Sequence, residues 1–344
     1  MPLFDMPFPP LARPVLGAAL AAFLTMTPAT GAAPTPPEPS APSASAPAPP
    51  AAAPRTTFWV DPHTAAARQA AAYRKQHRWA EARLIDRIAT RPQAAWLNDP
   101  NPGPAVRAVT TEASRTHRTA VLVAYHIPHR DCGAYSSGGA RDAAAYRAYV
   151  DSFAAGLGSR GAYVILEPDA VAATVAGCAG ANVRERSALL AYAVHRLKRQ
   201  PHTRVYLDAG NASWIPDVQR LVGPLRSAGV AAADGVALNV SNYRTDKESS
   251  AYGHRLVAAL GGGKHFVIDT SRNGNGPWQG TDAWCNPPGR ALGTPPTTRT
   301  GDAALDAYLW VKRPGESDGT CRGGPSAGKW WPGRALELAR NAKG

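Results

Sequence analysis

The sequence predicts an α/β protein in which parallel strands and crossover helices alternate and close into a TIM-like barrel. Two observations carry this. Short apolar runs are followed again and again by a polar or Gly-rich loop and a helix-patterned segment, the order that produces a parallel sheet. Those runs are continuous, as in Val164-Ile165-Leu166, which suits strands buried on both faces. A chain of 344 residues favours closure into a barrel over a doubly wound sheet.

The elements follow in order. Arg13 precedes an apolar segment from Val15 to Met26, and small residues follow at Ala29, Gly31, Ala32 and Ala33. This pattern predicts a Sec- or Tat-type signal over residues 1–33, hence a secreted protein with no membrane span after cleavage. Residues 34–56 are almost only Pro, Ala, Ser and Thr, a composition that cannot build a core and predicts an extended linker. The folded domain, 57–344, is expected to begin near Phe58-Trp59-Val60. Helices are predicted over 63–78, 83–91, 143–157, 183–199, 215–228 and 249–260. Strands are predicted over 120–127, 163–166, 204–207, 235–239, 266–268 and 307–311.

Composition narrows the function. The formal charge of +13 comes from arginines spread along the chain, with no basic block or nucleic-acid motif, so nucleic acid is not the expected partner. No strand is followed by GxGxxG or GxxxxGK[ST], which removes nucleotide cofactors. Cys132, Cys178, Cys285 and Cys321 in an exported chain suggest disulfides rather than zinc, since no CxxC spacing occurs. Sequence allows three connectivities; pairing 132 with 178 and 285 with 321 would staple two separate loop regions.

The strand ends carry the chemistry. Val164-Ile165-Leu166 stops at Glu167-Pro168-Asp169, where proline, lacking an N–H, ends the ladder. The other runs end in Tyr125 to Gly133, in Asp208 to Asn211, in Asn239 and Asn242, in Asp269 to Asn273, and in Lys312, Glu316, Ser317 and Asp318. In a parallel barrel these ends share one face. Carboxylates accept sugar hydroxyls and indoles stack on pyranose faces, so the mouth suits a neutral polyhydroxylated substrate. Trp96, Trp214 and Trp284 fall in segments that read as polar loops, where burial is hard to justify.

Taken together, RDCGAYSSGG at 130–139, LEPD at 166–169, YLDAG at 206–210, LNVSNYR at 238–244, VIDTSRNGNGP at 267–277 and LWVKRPGESDG at 309–319 resemble glycoside hydrolase family six. These are the cellulases that cut β-1,4-glucan with inversion. The resemblance implies a distorted, seven-stranded α/β barrel with the two disulfides paired 132–178 and 285–321. It further implies that Asp169 is the proton donor, that Asp131 assists the donor and the incoming water, that Asp208 is a structural acid and that Asp318 is the candidate base. Ser137 matches the serine of a mobile loop and Tyr125 the tyrosine beneath the cleaved sugar. Trp96, Trp214, Trp284, Lys312, Glu316 and Asn242 fall at substrate-binding positions. His126, His129 and Asn211 depart from the family's usual residues.

Inversion requires an acid that holds its proton near neutral pH and a water on the opposite face, with carboxyls about 6.5–9.5 Å apart. That water can pass its proton to Asp318 directly or through Ser137 and Asp131. Both loops that roof a cellobiohydrolase tunnel, after RDC and after ESDG, are short here, so an open cleft and endo-β-1,4-glucanase action are expected. A cellobiohydrolase, or a non-catalytic glycan-binding protein, is the alternative. The expected partner is the polysaccharide alone, for a monomeric enzyme without metal or other cofactor.

Overall fold

A computed structural model describes residues 57–343 apart from Ala179. The expected signal (1–33) and linker (34–56) lie outside the described residues. The elements run α1 (Ala65–Lys75), α2 (Trp79–Ala89), β1 (Ala95–Leu97), α3 (Gly103–Arg115), β2 (Ala120–Ala124), α4 (Ala143–Leu157), β3 (Ala162–Leu166), α5 (Ala170–Ala176), α6 (Val183–Leu197), β4 (Thr203–Asp208), α7 (Gln219–Ser227), β5 (Gly235–Leu238), α8 (Asp246–Leu260), β6 (His265–Asp269), β7 (Leu305–Leu309) and α9 (Pro332–Asn341).

Side-chain caps fix several helix starts. Thr64 accepts from Ala67 N–H at α1, Asp142 from Ala145 N–H at α4, and Asn182 from Glu185 N–H at α6. Thr245 and Glu248 close a reciprocal capping box on α8. α5 is different: Asp169 occupies its N-cap position with φ 71° and makes no side-chain cap bond, so its carboxyl is left for another use.

Among the described residues, all seven strands are parallel and lie in sequence order from β1 to β7. Both faces of the sheet are buried, which accounts for the continuous apolar runs. Leu122, Ala124, Val164, Leu166, Val205 and Leu207 face the helices. Val121, Val123, Ile165, Tyr206, Ala237, Val267, Ala307 and Leu309 fill the interior. A third apolar cluster joins α1 and α2 to α9 around Tyr73, Ile85, Ile88, Trp310 and Leu338.

The expected closed barrel is corrected to a half-barrel. Among the described residues no ladder joins β1 to β7; Ala94 N–H donates to the Trp310 carbonyl at 3.0 Å, and the Trp96 indole N–H donates to the Val311 carbonyl at 2.8 Å. The cause is local. β1 has only 3 residues, and the Asn98-Asp99-Pro100-Asn101-Pro102 stretch after it cannot extend a ladder. Trp96, expected in a polar loop, therefore sits in β1, half-buried.

Candidate active site

The mouth is built from the ends of β2 to β7. At the end of β3 the backbone turns through left-handed conformations at Glu167 (φ 48°) and Asp169 (φ 71°), positions that β-carbon-bearing residues seldom occupy. Glu167 is buried and its carboxylate accepts from the N–H groups of His126 at 3.0 Å and Ile127 at 3.1 Å, tying the end of β3 to the chain leaving β2. Burial pushes its carboxyl up to about 7 against those two bonds. Glu167 thus supports the site from beneath and is closed to the cleft.

Asp169, unlike Glu167, is only partly buried. Its carboxyl is pushed well above the usual carboxylate range, first by desolvation, then by the charges of Asp208 and Asp131, with Lys312 opposing. Asp208, at the end of β4, is buried. Its Oδ1 accepts from Asp169 N–H at 2.9 Å and Gly210 N–H at 3.1 Å, while Oδ2 has no partner. Burial raises Asp208 to about 7.

Asp131 leaves the β2 loop with φ 56°, accepts from Ser136 N–H at 2.6 Å, and is raised chiefly by burial. Arg130 organises the loop. Its guanidinium donates to the carbonyls of Tyr125 (2.8 Å), Ser136 (2.8 Å) and Ser137 (3.1 Å), and lies over the Tyr125 ring at 4.7 Å. The Tyr125 hydroxyl is held far above its usual range by burial and by the charges of Asp169 and Asp131. Ser137 is exposed on the same loop. Cys132–Cys178 anchors that loop next to the C-terminal end of α5, and Cys285–Cys321 joins the loops after β6 and β7.

Asp318 has a contrasting environment. It is buried, with Oδ2 accepting from the Tyr243 hydroxyl (3.0 Å), Arg272 (2.9 Å) and Asn286 N–H (3.0 Å), while Oδ1 faces Arg272 at 2.8 Å and Lys312 at 3.6 Å. Although desolvation opposes it, this cage of donors and cations holds the carboxyl below its usual range. Lys312 also donates to the Ser317 carbonyl at 3.0 Å, and its charge reaches Asp131 and Asp169 as well. Glu316 pairs with Arg313 at 3.1 Å, and burial raises its carboxyl.

Several members of this framework had no role assigned by sequence reasoning. Asp269, the end of β6, accepts from the N–H groups of Ser241 (2.9 Å), Ser271 (3.0 Å), Val311 (3.2 Å) and Lys312 (2.9 Å). It locks the ends of β5, β6 and β7 into one unit. Arg272, 1% exposed, spans the Tyr243 ring at 4.5 Å and Asp318. Their signal was an acid and an arginine immediately after an apolar run, the same kind of signal that singled out Asp169.

The aromatic residues divide. Trp214 (37% exposed) and Trp284 (46%) present their rings to solvent. Trp284 meets Tyr135 of the β2 loop at 5.9 Å, whereas Trp96 packs edge-on against Tyr125 at 5.2 Å. Gly210 is required beneath Trp214: at φ 69°, a β-carbon there would fall 3.3 Å from the indole and 2.9 Å from Ala172. Asn242 is half-buried, its amide oxygen accepting from Tyr243 N–H at 2.9 Å. His126 is buried against the Tyr149 ring at 4.7 Å. His129 turns the chain at φ 54°, and its carbonyl accepts from Arg186 at 3.0 Å.

Carboxyls pushed upward by burial at the mouth of a parallel half-barrel, beside solvent-facing indoles, suit a barrel-type glycoside hydrolase. The chain belongs to glycosyl hydrolases family 6, whose profile matches residues 53–342. It is 45% identical over 296 residues to Endoglucanase A of Cellulomonas fimi, covering 84% of this chain and 62% of that protein. To Endoglucanase 1 of Streptomyces halstedii it is 43% identical over 292 residues, covering 82% and 88%. The endoglucanase Cel6 of Mycobacterium tuberculosis, solved with methyl-cellobiosyl-4-deoxy-4-thio-β-D-cellobioside, superposes with a TM-score of 0.77 at 44% identity, covering 83% of this chain and 97% of that one.

Proposed function

We propose that the chain is a secreted endo-β-1,4-glucanase that hydrolyses internal bonds of cellulose or a related β-glucan with inversion, Asp169 acting as general acid. One observation carries the assignment. Asp169 makes no side-chain cap bond, is only partly buried and is pushed up by desolvation and by Asp208, which is what a proton donor to a leaving glycosidic oxygen needs. The endoglucanase relatives support the substrate class and the internal mode of cleavage. The disulfides and the apolar leader at 15–26 support secretion.

The cage around Asp318 favours one of the two routes for the water's proton. A carboxylate engaged by Arg272, Tyr243, Asn286 N–H and Lys312, and held below its usual range, is a weak base. Asp131, raised by burial beside Ser136 and Ser137, is the stronger one. We therefore route the proton through Ser137 and Asp131, with Asp318 supplying fixed charge and holding Lys312. Tyr125 lies beneath the cleaved sugar, and Trp96, Trp214, Trp284, Lys312, Glu316 and Asn242 line the binding positions.

The contact of Tyr135 with Trp284, above Gly319, favours a second reading. It joins the loops after β2, β6 and β7, as enclosure of a chain end by a cellobiohydrolase requires. Two measurements separate the readings and test inversion. For an inverting endo-enzyme, the viscosity of carboxymethylcellulose falls ahead of reducing-end release, and the first product seen by NMR is the α-anomer. Cellobiose as the sole early product indicates the second reading, and a β-anomer refutes inversion.

A further inference from the structure

Arg186, near the start of α6, is 5% exposed and takes no part in the chemistry proposed for the cleft. An arginine is seldom buried unless its charge and donors are matched, and the N-terminal end of a helix disfavours a cation, so its place there calls for a reason. Desolvation lowers its pKa, and the charge of Glu167 opposes.

Its donors go to main-chain carbonyls on two segments. Nη2 donates to the carbonyls of Pro128 at 3.1 Å and His129 at 3.0 Å, just ahead of Asp131. Nη1 donates to the Ala170 carbonyl at 3.4 Å, directly after Asp169, and lies 3.8 Å from Cys178 Sγ, whose disulfide partner Cys132 follows Asp131. One planar guanidinium thus joins the chain beside the proposed acid to the chain beside its assistant.

Both segments need such support. His129, Asp131 and Cys132 hold φ values of 54°, 56° and 49°, and Glu167 and Asp169 hold 48° and 71°. Backbone of this kind persists only where surrounding contacts over-determine it. Arg130 secures the part of the β2 loop that follows Asp131, through the carbonyls of Ser136 and Ser137. Arg186 secures the part that precedes it and ties that part to the start of α5.

We infer that Arg186 is a positioning residue that fixes Asp131 at its working distance from Asp169. This rests on the reading of Asp169 as the acid and Asp131 as its assistant. A guanidinium reaches both segments because it is a rigid fork, whereas an ammonium is a single point donor. Loss of the fork lets the β2 loop drift from α5, which slows turnover and leaves the solvent-facing indoles Trp214 and Trp284 in place to bind sugar. It also weakens the upward push that the Asp131 charge exerts on Asp169.

The test uses the full, oxidised chain with Arg186→Gln, Arg186→Lys and Asp131→Asn, alone and combined. For Arg186→Gln, kcat on cello-oligosaccharides is expected to fall about ten- to hundredfold with KM within about twofold of wild type. The alkaline limb of its kcat/KM profile moves to lower pH, and Arg186→Lys falls between it and the wild type. In the Asp131→Asn background the same substitution lowers kcat by less than about threefold, because the residue it positions is already gone. An unmoved limb, or a loss that is fully additive with Asp131→Asn, overturns the inference; where Arg186→Gln does not fold, Arg186→Lys decides by the same two comparisons. A wild-type protein that hydrolyses no β-glucan, or an Asp169→Asn variant that keeps full turnover, strikes instead at the reading on which the inference rests.

Discussion

The backbone N–H of Asp169 donates to Oδ1 of Asp208 at 2.9 Å, so the end of β4 positions the residue that starts α5. The same carboxylate raises the pKa of Asp169 through its charge. Asp208→Asn keeps an acceptor and removes that charge. The alkaline limb of the kcat/KM profile, set by loss of the acid's proton, is then expected to move to lower pH with little change in Tm. A pH–rate profile of the variant checks this; an unmoved limb uncouples the two residues.

Asp318→Asn acts on stability. Removing the anion leaves Arg272 and Lys312 buried without their counter-charge, a change that costs roughly 3–5 kcal/mol. Urea unfolding followed by circular dichroism reads the loss. Because Asp318 is placed here as fixed charge rather than as the base, the variant's kcat is expected to fall through misplaced Lys312, and added azide or formate does not rescue it.

The pH dependence of stability follows from the raised carboxyls. Glu167 and Asp208 both sit near 7, pushed there by burial, against ordinary values of 4.5 and 3.8. The folded state therefore holds protons that the unfolded chain has released, and stability falls as pH climbs from the ordinary carboxylate range through 7. Asp131, Asp169 and Asp269 add in the same direction. Asp318, which is lowered, weakens the fold only at pH below its ordinary value. Calorimetry is expected to give a higher Tm at about pH 5 than at about pH 8; the reverse order contradicts the raised values.

Much of this was legible in the sequence because parallel strands write their burial directly. Val164-Ile165-Leu166 read as a doubly buried strand, and Pro168 correctly marked where it stops. β1 was not legible: Ala95-Trp96-Leu97 is too short to show a period, and the prolines after it suggested a loop. α3, α5 and α9 were also missed. α5 is seven residues of mostly Ala and Val without a capping side chain, and α9 follows Trp331 with Pro332 at its first turn. At the site, acids at strand ends could be found one by one, but their environments could not. Asp318 and Asp169 look alike in sequence, yet Arg272 and Lys312 hold the carboxyl of one below its usual range while burial and Asp208 push the other above it.

The most direct test of the account is the turnover of carboxymethylcellulose by Asp169→Asn. Loss of a general acid costs typically about 10²–10⁴-fold, so kcat is expected to fall by about a hundredfold or more while Tm and binding of cello-oligosaccharides stay near wild type. Turnover within about tenfold of wild type, in a folded variant that still binds, contradicts the assignment of Asp169 as the proton donor.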